Sequence, residues 1–270
     1  MSLPYLAAAF DLDDTLLRDD LTISDYTLSV LRALSAAGVA VIPASGRAQM
    51  SMMPFIRRLS PVPLYIACNG GEIWSGSGEL LHAAPPFSAE TGKAVAAFGK
   101  RHHVYAQTYD GSYFYYNEES DWSRKYAAAS MLRGQYVGDL EAYIQEPRNK
   151  ILMMAEPEKI EAMRREAEVL FAGRVSVTCS KPWFLEFNPA EATKGCALQK
   201  AADLLHIPLE KVIAFGDGLN DLSMMRAAGR GVLMENGRPV LRDQVDDICL
   251  SNQEDGVARY LVGVFREVLA

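Results

Sequence analysis

Two stretches of this chain alternate short apolar runs with amphipathic segments, and a stretch of different character lies between them. No other feature constrains the fold as much. Residues 6–10 are an apolar run that ends at Asp11. Ser24 stands where a helix N-cap belongs, ahead of Leu28, Leu31 and Leu34 at helical spacing, and Gly38 stands where that helix would stop. Residues 39–44 are a second apolar run, 50–59 a helix interrupted or restarted at Pro54, and 64–68 a third run. Strand, helix, strand, helix, strand predicts a parallel sheet with helices on its faces. The rhythm resumes near residue 190, with a helix over 194–205, a strand over 212–215 and a helix over 222–228. A strand over 231–234, a short helix around 239–245, a strand over 248–250 and a helix from 256 complete it.

The middle reads differently. Residues 73–74 and 80–82 flank Ser75-Gly76-Ser77-Gly78, the pattern of a hairpin. After Pro85-Pro86 come a helix over 89–102 and aromatic-rich strands over 104–109 and 113–117. A helix over 119–133, a strand over 150–155, a helix over 158–171 and an antiparallel pair over 175–179 and 183–187 follow. Hairpins mixed with helices predict an α+β module. The expected organisation is a discontinuous α/β core, residues 1–83 and 188–270, into which an α+β cap, residues 84–187, is inserted.

With 270 residues, 49% hydrophobic and 23% charged, the chain has the composition of a globular protein and is long enough for a substantial core. Its net charge of -7 repels nucleic acid and anionic membranes, so neither is an expected partner. An anionic small molecule would need a local positive site. Cys68, Cys179, Cys196 and Cys249 are scattered without a CxxC pair, which argues against a disulfide framework or zinc site. Buried free thiols in a reducing cytoplasm are the expectation. No basic start followed by an apolar run marks a signal peptide, and no apolar stretch approaches the ~20 residues of a membrane span. A cytoplasmic protein is expected, and nothing in the sequence specifies its oligomeric state.

Open parallel sheets bind ligands at the carboxyl ends of their strands. Four polar clusters stand there: Asp11-Leu12-Asp13-Asp14-Thr15, Ser45-Gly46-Arg47, Lys194, and Gly216 to Asp221. Taken singly, each is an ordinary turn, cap or surface charge. Together they bring Asp11, Asp13, Asp14, Asp217 and Asp221 to one sheet edge. Two like charges ~4 Å apart repel by ~4 kcal/mol at an intermediate dielectric, so the cluster calls for a cation. Oxygen donors alone point to Mg²⁺, which keeps waters and leaves room for a phosphate. Lys194 supplies fixed positive charge, while the Ser45 hydroxyl and the backbone N–H groups of Leu12 and Gly46 suit phosphate oxygens.

In these residues the chain resembles the haloacid dehalogenase superfamily of phosphohydrolases, in its Cof-like branch with a large α/β cap. The four motifs stand in order: DxDxT at Asp11–Thr15, (T/S)GR at Ser45-Gly46-Arg47, KG at Lys194-Gly195, and GDGxND from Gly216 to Asp221. Asn69-Gly70, Met234-Glu235-Asn236 and Glu254-Asp255-Gly256-Val257 match features of the branch. Asp14 replaces the commoner glycine of the first motif, and Glu235 and Gly237 depart from the usual residues around Asn236.

The resemblance implies a Rossmann-like parallel-sheet core and a phosphatase acting on small phosphate esters, with sugar phosphates first. It implies Asp11 as nucleophile, forming an aspartyl phosphate, and Asp13 as general acid and then base. Mg²⁺ would be held by the Asp11 side chain, the Asp13 backbone carbonyl and the Asp217 side chain. Asp221 would orient metal-bound water or Lys194. Lys194, Ser45 and Asn220, with Leu12, Gly46, Arg47 and Asn69 around them, would bind the phosphoryl group. An aspartate at position 13, where ion-pumping relatives carry threonine, favours rapid turnover. Two further readings use the same aspartate: a phosphotransferase or sugar phosphomutase, and a non-enzymatic phospho-accepting regulator. Tyr109, Tyr113, Tyr115 and Tyr116 suit ring stacking on a substrate, though alternation on a half-buried sheet explains them better.

Overall fold

The computed structural model describes residues 3–130 and 132–269. Met1 and Ser2, at the end read for a targeting segment, lie outside the described residues, as does Met131 within the helix expected over 119–133. The chain divides into two compact units, Met1–Ala83 with Thr193–Ala270, and Ala84–Ala192.

The first unit is built on an eight-stranded sheet. The chain supplies β1 (Ala7–Asp11), β2 (Ala40–Ala44), β3 (Leu64–Ala67), β4 (Glu72–Ser75) and β5 (Leu80–Ala83) before leaving for the second unit, which contributes β6 to β11. It returns with β12 (Val212–Gly216), β13 (Arg230–Met234) and β14 (Asp247–Cys249). The spatial order is β14-β13-β12-β1-β2-β3-β4-β5. All pairs from β14 to β3 are parallel, while β4 and β5 add an antiparallel hairpin at one edge.

Helices cover both faces, which is why β1 and β12 read as unbroken apolar runs rather than alternating ones. On one face, α1 (Asp25–Ala36), α2 (Gln49–Leu59) and the later helix Gly256–Val264 pack Leu31, Leu34, Met52, Ile56 and Leu261 against Phe10, Tyr65 and Phe215. On the other, Ala197, Leu198, Ala201 and Met224 pack against Ala7, Ala9, Ile42, Ile66 and Ala214. Phe10 and Phe215 have no exposed surface, and truncating either to alanine would cost ~3–5 kcal/mol. Ser24 caps α1 as the sequence suggests, accepting from the Thr27 N–H at 3.0 Å. Pro54 does not interrupt α2. The helix runs through it from Gln49 to Leu59, held by its buried Met52, Ile56 and Leu59.

The second unit is a six-stranded sheet of order β10-β11-β9-β6-β7-β8. Its strands are β6 (Tyr105–Asp110), β7 (Tyr113–Tyr116), β8 (Arg133–Tyr136), β9 (Ile151–Met154), β10 (Val175–Thr178) and β11 (Phe184–Pro189). Its helices are α3 (Ala89–Arg101), α4 (Asp121–Ser130), the single turn α5 (Leu140–Tyr143) and α6 (Pro157–Leu170). Side chains alternate between faces. Ala106, Ile151, Met153, Leu185 and Phe187 meet α3 and α6, while Tyr105, Phe114, Tyr116, Leu152 and Met154 form a separate cluster with α4 residues Trp122 and Tyr126. Strand β8 corrects the expected helix over 119–133. Arg133 already belongs to a strand parallel to β7, with α4 as the crossover between the two. Cys179 and Cys249 are buried and Cys68 is half-buried. Cys196 is exposed on the helix that begins at Lys194, which corrects the expectation of buried thiols throughout.

Candidate active site

Sheet register assembles the site. β1 lies between β12 and β2, at the point where the strand order reverses. Phe10 pairs with Phe215 and Asp11 with Ala44, so the residues following β12 and β2, Asp217 and Ser45, stand beside Asp11. Strand spacing of ~4.8 Å sets their separation. β3 pairs Ile66 with Ala44, and the Asn69 N–H donates to the Ser45 carbonyl at 3.0 Å.

Lys194 arrives from the adjoining helix layer. The Thr193 hydroxyl caps α7 (Lys194–Leu205) by accepting from the Cys196 N–H at 3.1 Å, which fixes Lys194 at the first helical position. Gly195 lets α7 approach α8 (Leu222–Ala227). A Cβ there would lie 2.5 Å from the Ser223 carbonyl oxygen. Lys194 is fully buried and donates to Asp11 Oδ1 and Asp221 Oδ1, each at 2.6 Å. Asp221 is then fully engaged, because its Oδ2 accepts from the backbone N–H groups of Asp217 at 3.0 Å and Gly218 at 2.9 Å. Lys194 is one of the two partners the sequence offers Asp221, and the two side chains are in direct contact.

Asp217 Oδ1 accepts from the Thr15 hydroxyl at 2.9 Å, a contact the sequence reading left without a role although Thr15 stands in the first motif. One oxygen each from Asp11, Asp217 and Asp221 lies within 4.8 Å of the others. The side chain of Asp13 is not in this cluster. Arg47 grips it with both arms, Nε to Oδ2 at 2.7 Å and Nη2 to Oδ1 at 2.6 Å, while its guanidinium lies 5.2 Å over the Phe55 ring. The residue expected at a phosphate oxygen is therefore seen on a carboxylate. Asn69 and Asn220 also meet each other, Nδ2 of Asn220 donating to Oδ1 of Asn69 at 3.1 Å. Ser45 is buried, and its hydroxyl accepts from the Arg47 N–H at 3.1 Å.

The electrostatics are unbalanced. Burial would lower the Lys194 pKa, but Asp11 and Asp221 together outweigh it and hold the ammonium well above its usual range. Burial pushes Asp11 well above the carboxylate range. Lys194 opposes this, and Asp221, Asp217 and Asp13 add to it. Burial, then Asp221, lifts Asp217 to about 7, with the Thr15 bond pulling the other way. One ammonium among two buried carboxylates and a half-buried one leaves an excess of negative charge. The donors are oxygens alone, and Asp11 and Asp217 each keep an oxygen with no hydrogen bond among the described residues. A hard divalent cation such as Mg²⁺ fits that donor set.

The chain is similar to known hydrolases over nearly its whole length. The model of the haloacid dehalogenase-like hydrolases matches residues 8–261. The 5-amino-6-(5-phospho-D-ribitylamino)uracil phosphatase YitU of Bacillus subtilis is 32% identical over 273 residues, covering 97% of this chain and 98% of that protein. The solved structure of a haloacid dehalogenase-like hydrolase from B. subtilis is 27% identical with a TM-score of 0.83, covering 95% and 98% of the two chains. The HAD subclass IIB sugar phosphatase BT4131 shares the fold at 22% identity and a TM-score of 0.83, covering 96% and 99%.

Proposed function

The chain belongs to the haloacid dehalogenase-like hydrolases and is a phosphoric monoester hydrolase, and from that premise we propose that it releases phosphate from small phosphorylated metabolites, sugar or polyol phosphates among them, with Asp11 as nucleophile. The observation that carries the reading is the buried Lys194 held between Asp11 and Asp221 at 2.6 Å, beside Asp217 at the strand-order switch. The substrate class draws support from YitU, whose named substrate carries its phosphate on a D-ribityl chain.

An Asp11 carboxylate oxygen attacks phosphorus and forms an O–P bond as the bond to the leaving oxygen breaks. Asp13 gives its proton to that oxygen, then takes one from the water that cleaves the aspartyl phosphate and restores Asp11. Arg47 donates to both oxygens of Asp13, and such bonding to the ionised form opposes the protonated form that the acid step requires. Lys194 commits two of its three donors and offers the third to a phosphoryl oxygen, joined by the Ser45 hydroxyl, Asn220 and the N–H groups of Leu12 and Gly46. Mg²⁺, held by Asp11 and Asp217 with the Asp13 carbonyl, would screen the attacking carboxylate from the phosphate's negative charge. The second unit would select the substrate. No helix of the described residues is long and apolar enough to cross a membrane, and scattered cysteines without a CxxC pair suit a cytoplasmic setting.

The test is phosphate release from a panel of sugar phosphates, nucleotides and cofactor phosphates, with Mg²⁺, with EDTA, and with Asp11→Asn. Mg²⁺-dependent release that the variant loses is the expected result. Near-normal turnover by Asp11→Asn would exclude Asp11 as nucleophile. Release that is slow in water but fast with an added sugar acceptor would favour the transferase reading.

A further inference from the structure

The turn that follows the nucleophile is held from outside. Asp14 is in the left-handed region at φ +58°, inside a turn from Leu12 to Leu16 in which Asp13 is also non-helical. A non-glycine residue persists there only when its surroundings fix it. Two side-chain amides from the far end of the chain do so. Asn236, just after β13, donates from Nδ2 to the Asp14 carbonyl at 2.7 Å, while its Oδ1 accepts from the Asn252 N–H at 3.1 Å. Asn252, after β14, donates from Nδ2 to the Leu17 carbonyl at 3.0 Å and to Asp19 Oδ1 at 3.2 Å. Beyond them, Asp255 takes Arg18 Nη2 at 3.0 Å on both oxygens and the Thr27 hydroxyl at 3.2 Å.

We propose that Asn236 and Asn252 form a bracket that holds the Asp11–Asp14 turn in its reactive shape, making Asn236 a positioning residue for phosphoryl transfer. Asp14 adjoins Asp13, and its carbonyl is where the chain reverses after the two reactive carboxylates. Removing the bond from Asn236 loosens the Asp14–Thr15 peptide and lets Asp14 leave the left-handed conformation, which alters the separation of nucleophile and proton donor. Both bonds of the Asn236 amide are used, so its orientation is fixed. Asn252 is buried and serves the fold as well, whereas Asn236 is exposed, and its loss leaves groups that water can solvate. The inference rests on the reading of Asp11 above.

The test uses the full chain as wild type, Asn236→Asp and Asn236→Ala. The aspartate keeps the acceptor for Asn252 and removes the donor to Asp14. Phosphate release from p-nitrophenyl phosphate with Mg²⁺ is measured beside the thermal midpoint and hydrogen exchange over residues 12–17, where the Leu17 N–H donates to the Leu12 carbonyl at 2.7 Å. The expected result is kcat lower by about tenfold to a hundredfold in both variants. KM and the thermal midpoint stay nearly unchanged, and exchange across the turn is faster. Unchanged kcat, whatever the exchange shows, overturns the proposal. So does a kcat loss that merely follows a lowered midpoint. Wild type that releases no phosphate from any compound would instead sink the Asp11 reading, and with it the catalytic meaning of the bracket.

Discussion

Replacing Lys194 with methionine removes one charge at nearly constant volume, so the consequence is electrostatic rather than a packing defect. The ammonium is fully buried and 2.6 Å from a carboxylate oxygen on each side. Without it, Asp11 and Asp221 face each other and Asp217 with no cation at all. Breaking a buried ion pair by deleting one partner costs ~3–5 kcal/mol, because the survivor stays buried and uncompensated. Two survivors place this case toward the upper end. For units of this size each kcal/mol moves the midpoint by roughly 2–4 °C, so metal-free Lys194→Met should melt about 6–20 °C below wild type at pH 8. The pH dependence has a definite sign. Burial already raises the Asp11 carboxyl far above its ordinary value against the pull of Lys194, and deletion raises it further. A carboxyl raised in the folded state contributes stability that is present below its unfolded value and lost as pH rises through its folded value. The deficit should therefore be smaller at pH 5 than at pH 8. Calorimetry from pH 5 to 8 with EDTA measures it, and turnover with Mg²⁺ should fall by ~10²–10³. Midpoints equal to wild type at pH 8, or a deficit that shrinks as pH rises, would refute the reasoning.

Asp217, lifted to about 7, and Asp11, raised well above the carboxylate range, must both lose their protons to hold a metal, so apparent Mg²⁺ affinity should rise by at least about tenfold per pH unit up to pH 7. Titration calorimetry at pH 5.5, 6.5 and 7.5 checks this, and a flat profile would contradict it. Gly70→Ala should destabilise by about 2–4 kcal/mol in urea unfolding, because φ is +98° and the new Cβ would lie 2.2 Å from the Thr193 carbonyl oxygen. Gly38→Ala, at φ +92° with open space around it, should cost only ~1 kcal/mol, and equal losses at the two positions would defeat the steric argument.

The sequence made the parallel core legible for a simple reason. Strands buried on both faces are continuous apolar runs, and the polar residues that end them stand out, as Asp11 does after Ala7–Phe10. It was less informative where periodicity is weak. β8, Arg-Gly-Gln-Tyr with every residue exposed, carries no apolar pattern, and only its parallel pairing with β7 makes it a strand. Pro54 resembled a break, but the buried face of α2 outweighed the missing hydrogen bond. The tyrosine run shows its alternation directly. Tyr116 is buried with its hydroxyl on Glu119 at 2.6 Å, while Tyr113 and Tyr115 stack on the other face and Tyr115 rests on Tyr143.

By itself the sequence determined the chemical kinds present at the sheet edge: five aspartates, a lysine, and small residues where backbone must come close. Those choices are local, because each follows from the end of one strand or the start of one helix. Which side chains face one another is not local. Arg47 on Asp13, Asp221 on Lys194, and Asn236 on the Asp14 carbonyl join residues 34, 27 and 222 positions apart. Sheet order and register decide such pairings. They bring the ends of β1, β2, β12 and β13 to one edge, and no spacing along the chain records which atoms then lie within 3 Å.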